Sequence, residues 1–190
     1  KVEITGAVTV AELNAIAAAT TGIVTATISG TAEQLAALEE TGNAYTITVN
    51  DAADTPLTAT ALAALGGKTT GTVTVTNAVQ ITGTASQLIA ALFTDDTKVV
   101  AAAAKITFND APSLDQFNQV DIATTGLLTY SSIADSAANL RADAALGLSA
   151  IARNKPITVT NTGTVQASDL VTISGNTSST VTATAASTIS

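Results

Sequence analysis

A strand-like run followed by a helix-start signal recurs along this chain. Within residues 23–44, Val24, Ala26 and Ile28 alternate with polar residues, and Thr31-Ala32-Glu33-Gln34-Leu35 then opens a short helix. Strict alternation predicts a half-buried strand, whereas apolar residues three apart predict one face of a helix. Repetition of one such unit indicates an array of stacked coils rather than a globule built around a cleft.

Seven repeats and a final strand are predicted from this pattern. The strands are expected to begin near Val2, Ile23, Tyr45, Thr72, Lys105, Leu127, Pro156 and Thr180. The inward positions are expected at Val2/Ile4, Val24/Ala26/Ile28, Ile47/Val49, Val73/Val75, Ile106/Phe108, Leu128/Tyr130, Ile157/Val159 and Val181/Ala183. A slip of one residue would turn all of these to the other face, so their agreement supports the register.

Helix starts recur at the same place in the repeat. The capping box, in which a Ser or Thr is followed three residues later by Glu or Gln, satisfies two orphan amides of a first helical turn. It occurs at Thr9/Glu12, Thr31/Gln34, Thr84/Gln87 and Ser113/Gln116. Apolar pairs three apart then follow at Leu13/Ile16, Leu35/Leu38, Leu62/Leu65, Phe117/Val120 and Leu170/Ile173, which puts both members on the face toward the strands.

A threonine- and glycine-rich stop precedes several strands. Its copies are Thr20-Thr21-Gly22, Thr69-Thr70-Gly71 and Thr124-Thr125-Gly126, with Asn176-Thr177-Ser178-Ser179 as a degenerate version. We expect each glycine to adopt the left-handed conformation that ends a helix. The two longest units, residues 72–104 and 127–154, carry extra material that includes Asp95-Asp96 and the segment 141–153.

Strand, helix and strand with short links form the βαβ unit, whose crossover is right-handed in nearly all cases. The sequence therefore predicts an α/β fold in which residues 1–190 form a single right-handed strand–helix solenoid. It has leucine-rich-repeat-like coils, a parallel sheet on one wall and short helices on the other. With 39 Ala and 36 Thr, its layers are expected to lie close together. Neither end has a charged cap, so we expect a longer array or filament of adjacent repeats or other copies, packed head to tail.

Composition excludes several partners. A net charge of −8 disfavours phosphate backbones, so no nucleic-acid partner is expected. No apolar stretch approaches the length of a membrane span. Cys and Met, the side chains most readily oxidised, are both absent, which fits an extracellular or cell-surface location.

Catalysis has little to work with in this chain. Without His or Cys, the common nucleophile–base pairs are missing, and no phosphate-binding or dinucleotide motif is present. The sequence therefore predicts a protein that is not an enzyme and that has no organic cofactor.

Two acidic loops at corresponding strand ends are candidates for calcium. They supply Asp51 and Asp54, and Asp110 and Asp115. Clustered carboxylates suit calcium, but neither loop has an EF-hand spacing, and Asp is also favoured at turns and helix starts. The asparagines that follow strands, which are Asn50, Asn77, Asn109 and Asn161, are instead expected to bond the backbone of neighbouring coils.

The outward strand positions form an array of threonines. The candidate binding face comprises Thr46, Thr48, Thr72, Thr74, Thr76, Thr158 and Thr160. Stacked rows of Thr would suit an ordered lattice such as ice or a crystalline polysaccharide. The alternative is that Thr simply fits a half-exposed strand or packs against another copy. Tyr45, Lys105, Leu127 and Pro156 are expected to interrupt the array.

Several segments together resemble a known class of repeats. They are Val10-Ala11-Glu12-Leu13-Asn14-Ala15-Ile16, Thr20-Thr21-Gly22, Ile28-Ser29-Gly30-Thr31-Ala32, Gly42-Asn43-Ala44-Tyr45-Thr46-Ile47-Thr48-Val49 and Ile81-Thr82-Gly83-Thr84-Ala85. The pattern resembles the Thr/Ala/Asp-rich tandem repeats of very large secreted surface proteins of marine cyanobacteria and other bacteria, of the surface-layer and adhesin type. It is clear to about residue 100, fades over 127–155 and partly returns after 156.

The resemblance implies a structural or adhesive role at the cell surface and supplies no catalytic residues. We therefore expect a structural, non-enzymatic part of an extracellular assembly such as a surface layer, sheath, filament or adhesin stalk. The alternative function is a binding module whose flat Thr array recognises ice or a polysaccharide.

Overall fold

A computed structural model of the protein describes residues 1–93, 98–145 and 154–190. Over these residues the fold is mixed α/β, with seven helices and parallel sheets. Asp95-Asp96 and residues 146–153 of the predicted extra material lie outside the described residues.

The helices and strands alternate along the chain. The helices are α1 Val10–Ala18, α2 Ala32–Leu35, α3 Ala59–Gly66, α4 Ala85–Leu92, α5 Leu114–Asp121, α6 Ala137–Ala145 and α7 Ala167–Gly175. The strands are β1 Val2–Glu3, β2 Val24–Gly30, β3 Ala44–Val49, β4 Pro56–Thr58, β5 Val73–Val75, β6 Gln80–Gly83, β7 Val99–Val100, β8 Lys105–Phe108, β9 Leu128–Thr129, β10 Ile133–Asp135, β11 Ile157–Val159, β12 Thr164–Val165, β13 Val181–Thr182 and β14 Thr188–Ile189.

The chain divides into two compact units, residues 1–107 with 119–129 and residues 108–118 with 130–190. Strands of the first unit form a five-stranded sheet in the order β1-β2-β3-β5-β7 and a four-stranded sheet in the order β4-β6-β8-β9. The second unit has a three-stranded sheet, β10-β11-β13, and the pair β12-β14. Successive repeats pair in parallel, as Val2 with Val24 and Ile157 with Val181 show.

The prediction of one strand in each repeat is wrong for most repeats. All the predicted strands form, but β4, β6, β7, β10, β12 and β14 were not foreseen. These strands have two to four residues, which is too short to establish an alternating pattern. The length of the unit 72–104 is explained by β6 and β7, because β7 continues the sheet of β5.

Alternation along the strands positions the core. Along β2, the predicted inward residues Val24, Ala26 and Ile28 are buried. Tyr45 is also buried, with 1% of its surface exposed, so the prediction that it interrupts the outward array is wrong. Ala44 stands in the outward row instead, paired with Thr25.

All four predicted capping boxes form. In α1, the Glu12 amide donates to the Thr9 hydroxyl oxygen at 3.2 Å, and the Thr9 amide donates to the Glu12 carboxylate at 2.8 Å. These bonds from Thr9, first from its backbone and then from its side chain, lower the pKa of Glu12 below its ordinary value of 4.5. The boxes at α2, α4 and α5 use Gln in place of Glu.

The second unit has a core of its own. Ile133, Leu140, Ile157 and Ile173 are its most deeply buried aliphatic residues, together with Val159. Beside them, the Phe117 and Tyr130 rings meet edge to face with their centroids 4.9 Å apart. Burial raises the pKa of the Tyr130 phenol.

Candidate functional site

The most distinctive polar site in the first unit is built by the Thr-Thr-Gly motif between α3 and β5. Thr69 is 94% shielded from solvent, with 6% of its surface exposed. Its hydroxyl accepts the amide hydrogens of Tyr45 and Gly71, each at 2.9 Å, and donates to the Tyr45 carbonyl at 2.6 Å. The Thr70 amide donates to the Asn43 carbonyl at 2.9 Å. One buried side chain thereby joins two consecutive repeats.

The same arrangement is rebuilt at the motif before β9. The Thr124 hydroxyl donates to the Ala104 carbonyl at 2.7 Å and accepts the Gly126 amide at 3.0 Å. Thr125 bonds the Ala102 carbonyl with its amide at 2.8 Å and with its hydroxyl at 2.9 Å. Both threonines of each motif therefore hold the backbone of the preceding repeat.

Two further copies keep the local turn. The Thr20 hydroxyl accepts the Gly22 amide at 3.1 Å, and the Thr177 hydroxyl accepts the Ser179 amide at 3.1 Å. This bond, from a residue to a hydroxyl two positions earlier, is the turn that Ser and Thr side chains form in place of a backbone turn. The prediction that residues 176–179 are a degenerate copy is confirmed in this respect.

The prediction that the motif glycines are left-handed is wrong. Among the described residues, Gly42 is the glycine with a positive φ, at 81°. Gly71 and Gly126 are required because the preceding repeat approaches closely. A Cβ at Gly71 would overlap the Tyr45 carbonyl oxygen, and one at Gly126 would overlap the Ala104 carbonyl oxygen.

A second recurring contact joins an Asp or Asn to the helix of the preceding repeat. The Asp51 carboxylate accepts the Ala32 amide at 2.7 Å, and Asn161 Oδ1 accepts the Ala137 amide at 2.7 Å. Each amide belongs to the first residue of a helix and has no partner within that helix. Asp135 makes the corresponding bond to the first residue of α5, at 3.0 Å.

The expected asparagine bonds form in part. Asn161 reaches a neighbouring backbone as described, and Asn77 Nδ2 donates to the Asp51 carbonyl at 2.7 Å. Asn50 differs, because its amide donates to the side-chain oxygen of Ser29 at 3.3 Å.

The four acidic candidates for calcium do not share one environment. Asp51 is buried and caps α2, whereas Asp54 is exposed and pairs with Lys105 at 2.6 Å. Asp110 is exposed and Asp115 half-buried, and both have interactions of their own. Within residues 1–93, 98–145 and 154–190, no group of three or more His, Cys, Asp or Glu side chains is arranged to hold a metal ion.

The predicted Thr face is divided between the two units. In the first unit, β-pairing places Thr46 beside Thr27 and Thr74 beside Thr48. Thr72 and Thr76 flank β5, and the Thr76 hydroxyl is used within the sheet because it donates to the Val49 carbonyl at 3.2 Å. In the second unit, Thr158 lies beside Thr182, and Thr160 donates its amide to the Asp135 carbonyl at 2.9 Å.

The buried Tyr45 places a phenol beside this network. Burial first, and then the nearby Glu40 carboxylate, raise the pKa of Tyr45 above its ordinary value of 10.0, while Asn43 opposes them. The hydroxyl has no hydrogen-bond partner among the described residues. The side-chain oxygen of Asn43 is instead bonded by the Val24 amide at 2.9 Å.

Sequence reasoning missed most of these contacts. It identified Thr69 and Thr124 as stops, not as hydrogen-bond centres, and it did not single out Asn14. That asparagine joins α1 to the next repeat, donating to the Ala37 carbonyl at 2.8 Å and accepting the Glu39 amide at 3.2 Å. The available signal was the repetition of Thr-Thr-Gly itself, since two hydroxyls before each strand are more than a helix stop requires.

Comparisons with known proteins give no assignment. No protein-family model matches the chain, and searches of curated proteins and of solved structures found no similar sequence or fold. None of the described helices is long and apolar enough to cross a bilayer. The function is therefore argued from the geometry of this chain alone.

Proposed function

We propose that this protein is a structural, non-enzymatic part of an extracellular assembly, built by stacking its strand–helix repeats. In this proposal the repeats form a right-handed solenoid of about seven coils and a terminal strand, acting in a surface layer, sheath, filament or adhesin stalk. Its partners are further repeats or other copies, packed head to tail.

The observation that carries the proposal is the repeated contact between consecutive repeats. Thr69 and Thr124 hold the preceding backbone in the same way, and Asp51, Asp135 and Asn161 each cap a helix of the preceding repeat. Polar side chains that would form a site in an enzyme are used here to attach one repeat to the next. Such contacts are local, so the same geometry extends to any number of repeats.

Edge strands support continued stacking. β1 is at the edge of the five-stranded sheet in the first unit, and β13 is at the edge of the three-stranded sheet in the second. An edge strand presents unpaired backbone groups to another strand. A contact between two different edges does not close on itself, so it generates a filament.

Electron microscopy of the native material, with and without a chelator, tests the proposal. Elongated assemblies with a regular axial repeat are expected, and particles of a single small size in both samples would contradict it.

A second candidate function is a binding module for ice or a polysaccharide. It is favoured by the in-register rows that pair Thr27 with Thr46 and Thr48 with Thr74 on one sheet face. Thermal hysteresis or binding on a glycan array, lost in Thr74→Lys or Thr158→Lys, would support it. Retained assembly with no such activity would favour the structural role.

A further inference from the structure

An apolar groove of about 560 Å³ opens in the first unit between the start of α1 and the end of β2. Val8 and Val10 line it together with the buried side chains of Ile28 and Leu35. Glu39 is the one ionisable residue in its lining. The groove is lined by residues 8–39, so it lies within the chain and does not depend on where the sequence begins or ends.

The wall of the groove is an unpaired stretch of strand edge. β1 pairs with β2 only at Val2 and Glu3, and the last bond on this side runs from the Ile4 amide to the Thr25 carbonyl at 2.9 Å. After Ile4 the chain leaves the edge of β2. No backbone hydrogen bond from the described residues continues the pairing along Thr27 and Ser29.

The direction of the peptide groups follows from strand geometry. In a parallel sheet, alternate residues point their N–H and C=O groups to opposite sides. The carbonyls of Ile23 and Thr25 face β1, whereas the Gly30 carbonyl faces β3, where it accepts the Asn50 amide. The peptide groups of Thr27 and Ser29 therefore face the groove, with donors and acceptors at the spacing of a missing strand.

We propose that this groove receives residues 180–190 of a second copy of the chain, which add to the free edge of β2 as a parallel strand. This proposal rests on the proposed stacking function and names one contact through which copies join. Main-chain bonds to Thr27 and Ser29 supply affinity, and the apolar floor takes alternate side chains, as in other cases of strand addition.

Residues 180–190 suit this role for three reasons. None of their side chains is buried, and β13 lies at the edge of its sheet, so the segment is accessible in the second unit. Val181-Thr182-Ala183-Thr184 repeats the order Val24-Thr25-Ala26-Thr27 of β2, a strand that already pairs in parallel within this fold. The segment carries no charged side chain, which matches an apolar groove.

Two variants of the full-length chain test the groove. Ser29→Pro removes the amide that faces it, and proline is tolerated on an edge strand whose N–H side is open. Its control is Ser29→Ala, which keeps the amide and loses only the hydroxyl. Val10→Lys puts a charge on the groove wall, and its control is Ile122→Lys, at a 74% exposed apolar residue of the same unit outside the groove.

The probe is a labelled synthetic peptide of residues 180–190, with a scrambled peptide as control, and binding is measured by fluorescence anisotropy. We expect wild type, Ser29→Ala and Ile122→Lys to bind it alike, and Ser29→Pro and Val10→Lys to bind at least about tenfold more weakly, a loss of roughly 1.4 kcal/mol. No binding to wild type, equal binding of the scrambled peptide, or equal binding by all variants would overturn the proposal.

Sedimentation velocity on the same proteins separates this proposal from the stacking function. Assembly of wild type that Ser29→Pro and Val10→Lys leave unchanged would overturn the groove contact and leave stacking intact. Peptide binding without assembly would support the groove and count against stacking.

Discussion

The Thr69 hydroxyl bonds both polar groups of Tyr45, accepting its amide at 2.9 Å and donating to its carbonyl at 2.6 Å. A single side chain thus takes the place of a strand partner at the point where β5 approaches. Both residues are buried, so water cannot replace these bonds at low cost.

Thr69→Val should therefore be strongly destabilising. The change keeps the side-chain shape but leaves the Tyr45 and Gly71 amides without their acceptor, at an expected cost of about 2–4 kcal/mol. Thr46→Val, at an exposed site in the adjacent strand, should change stability by less than about 0.5 kcal/mol. Urea unfolding measures both, and equal effects of the two changes would show that the Thr69 hydroxyl is not a structural centre.

Gly71→Ala tests why the motif ends in glycine. Its Cβ would meet the Tyr45 carbonyl oxygen, so we expect a loss of about 2–3 kcal/mol from forced backbone movement. Gly175→Ala is the matched change at the end of α7, where nothing lies within 4 Å, and alanine there should stabilise by about 0.5–1 kcal/mol. Thermal melts compare the two; a harmless Gly71→Ala would contradict the close approach.

These two positions show what the sequence could predict about the fold. Strand starts and all four capping boxes were predictable, because alternation and the Ser/Thr…Glu/Gln spacing are local. Tyr45 was misplaced because a one-residue error at the start of β3 reverses its face. The short strands β7 and β12 were missed because two residues carry no period.

The candidate site was harder to predict than the fold. Thr69 bonds Tyr45 across 24 residues, and Asp51 bonds Ala32 across 19. Such partners depend on how repeats register against one another, which a single sequence does not specify. The local reading of Asp51 as a possible calcium ligand therefore overlooked a helix amide one repeat away.

Asp51 should act as a helix cap in the absence of calcium. Asp51→Ala should cost about 1–2 kcal/mol, because the first amide of α2 loses its acceptor, whereas Asp51→Asn retains an oxygen and should cost less. Differential scanning calorimetry in EDTA and in calcium measures both variants. A wild-type melting temperature that calcium raises by several degrees, with no such rise in Asp51→Ala, would instead identify Asp51 as a ligand.

The capping box of α1 should make a pH-dependent contribution. Bonds from Thr9 hold the pKa of Glu12 below its ordinary 4.5, so the folded state favours the carboxylate. The resulting stabilisation is present above pH 4.5 and is lost as the pH falls through the lower, folded-state pKa. Glu12→Gln keeps the box geometry used at α2 and α4 but removes the titration.

Melting temperatures of wild type and Glu12→Gln across pH 3 to 7 measure this contribution. The wild type should lead at neutral pH by a small margin, since Glu12 is exposed, and the margin should shrink in acid. A margin that grows in acid would contradict the sign.

Assembly of the purified chain tests the stacking of copies most directly. Sedimentation velocity over a rising concentration series, with electron microscopy of the same samples, should show elongated particles that lengthen by addition of whole copies. A single monomeric species at every concentration, with no elongated particles in the images, would contradict the proposal that this protein works by stacking end to end.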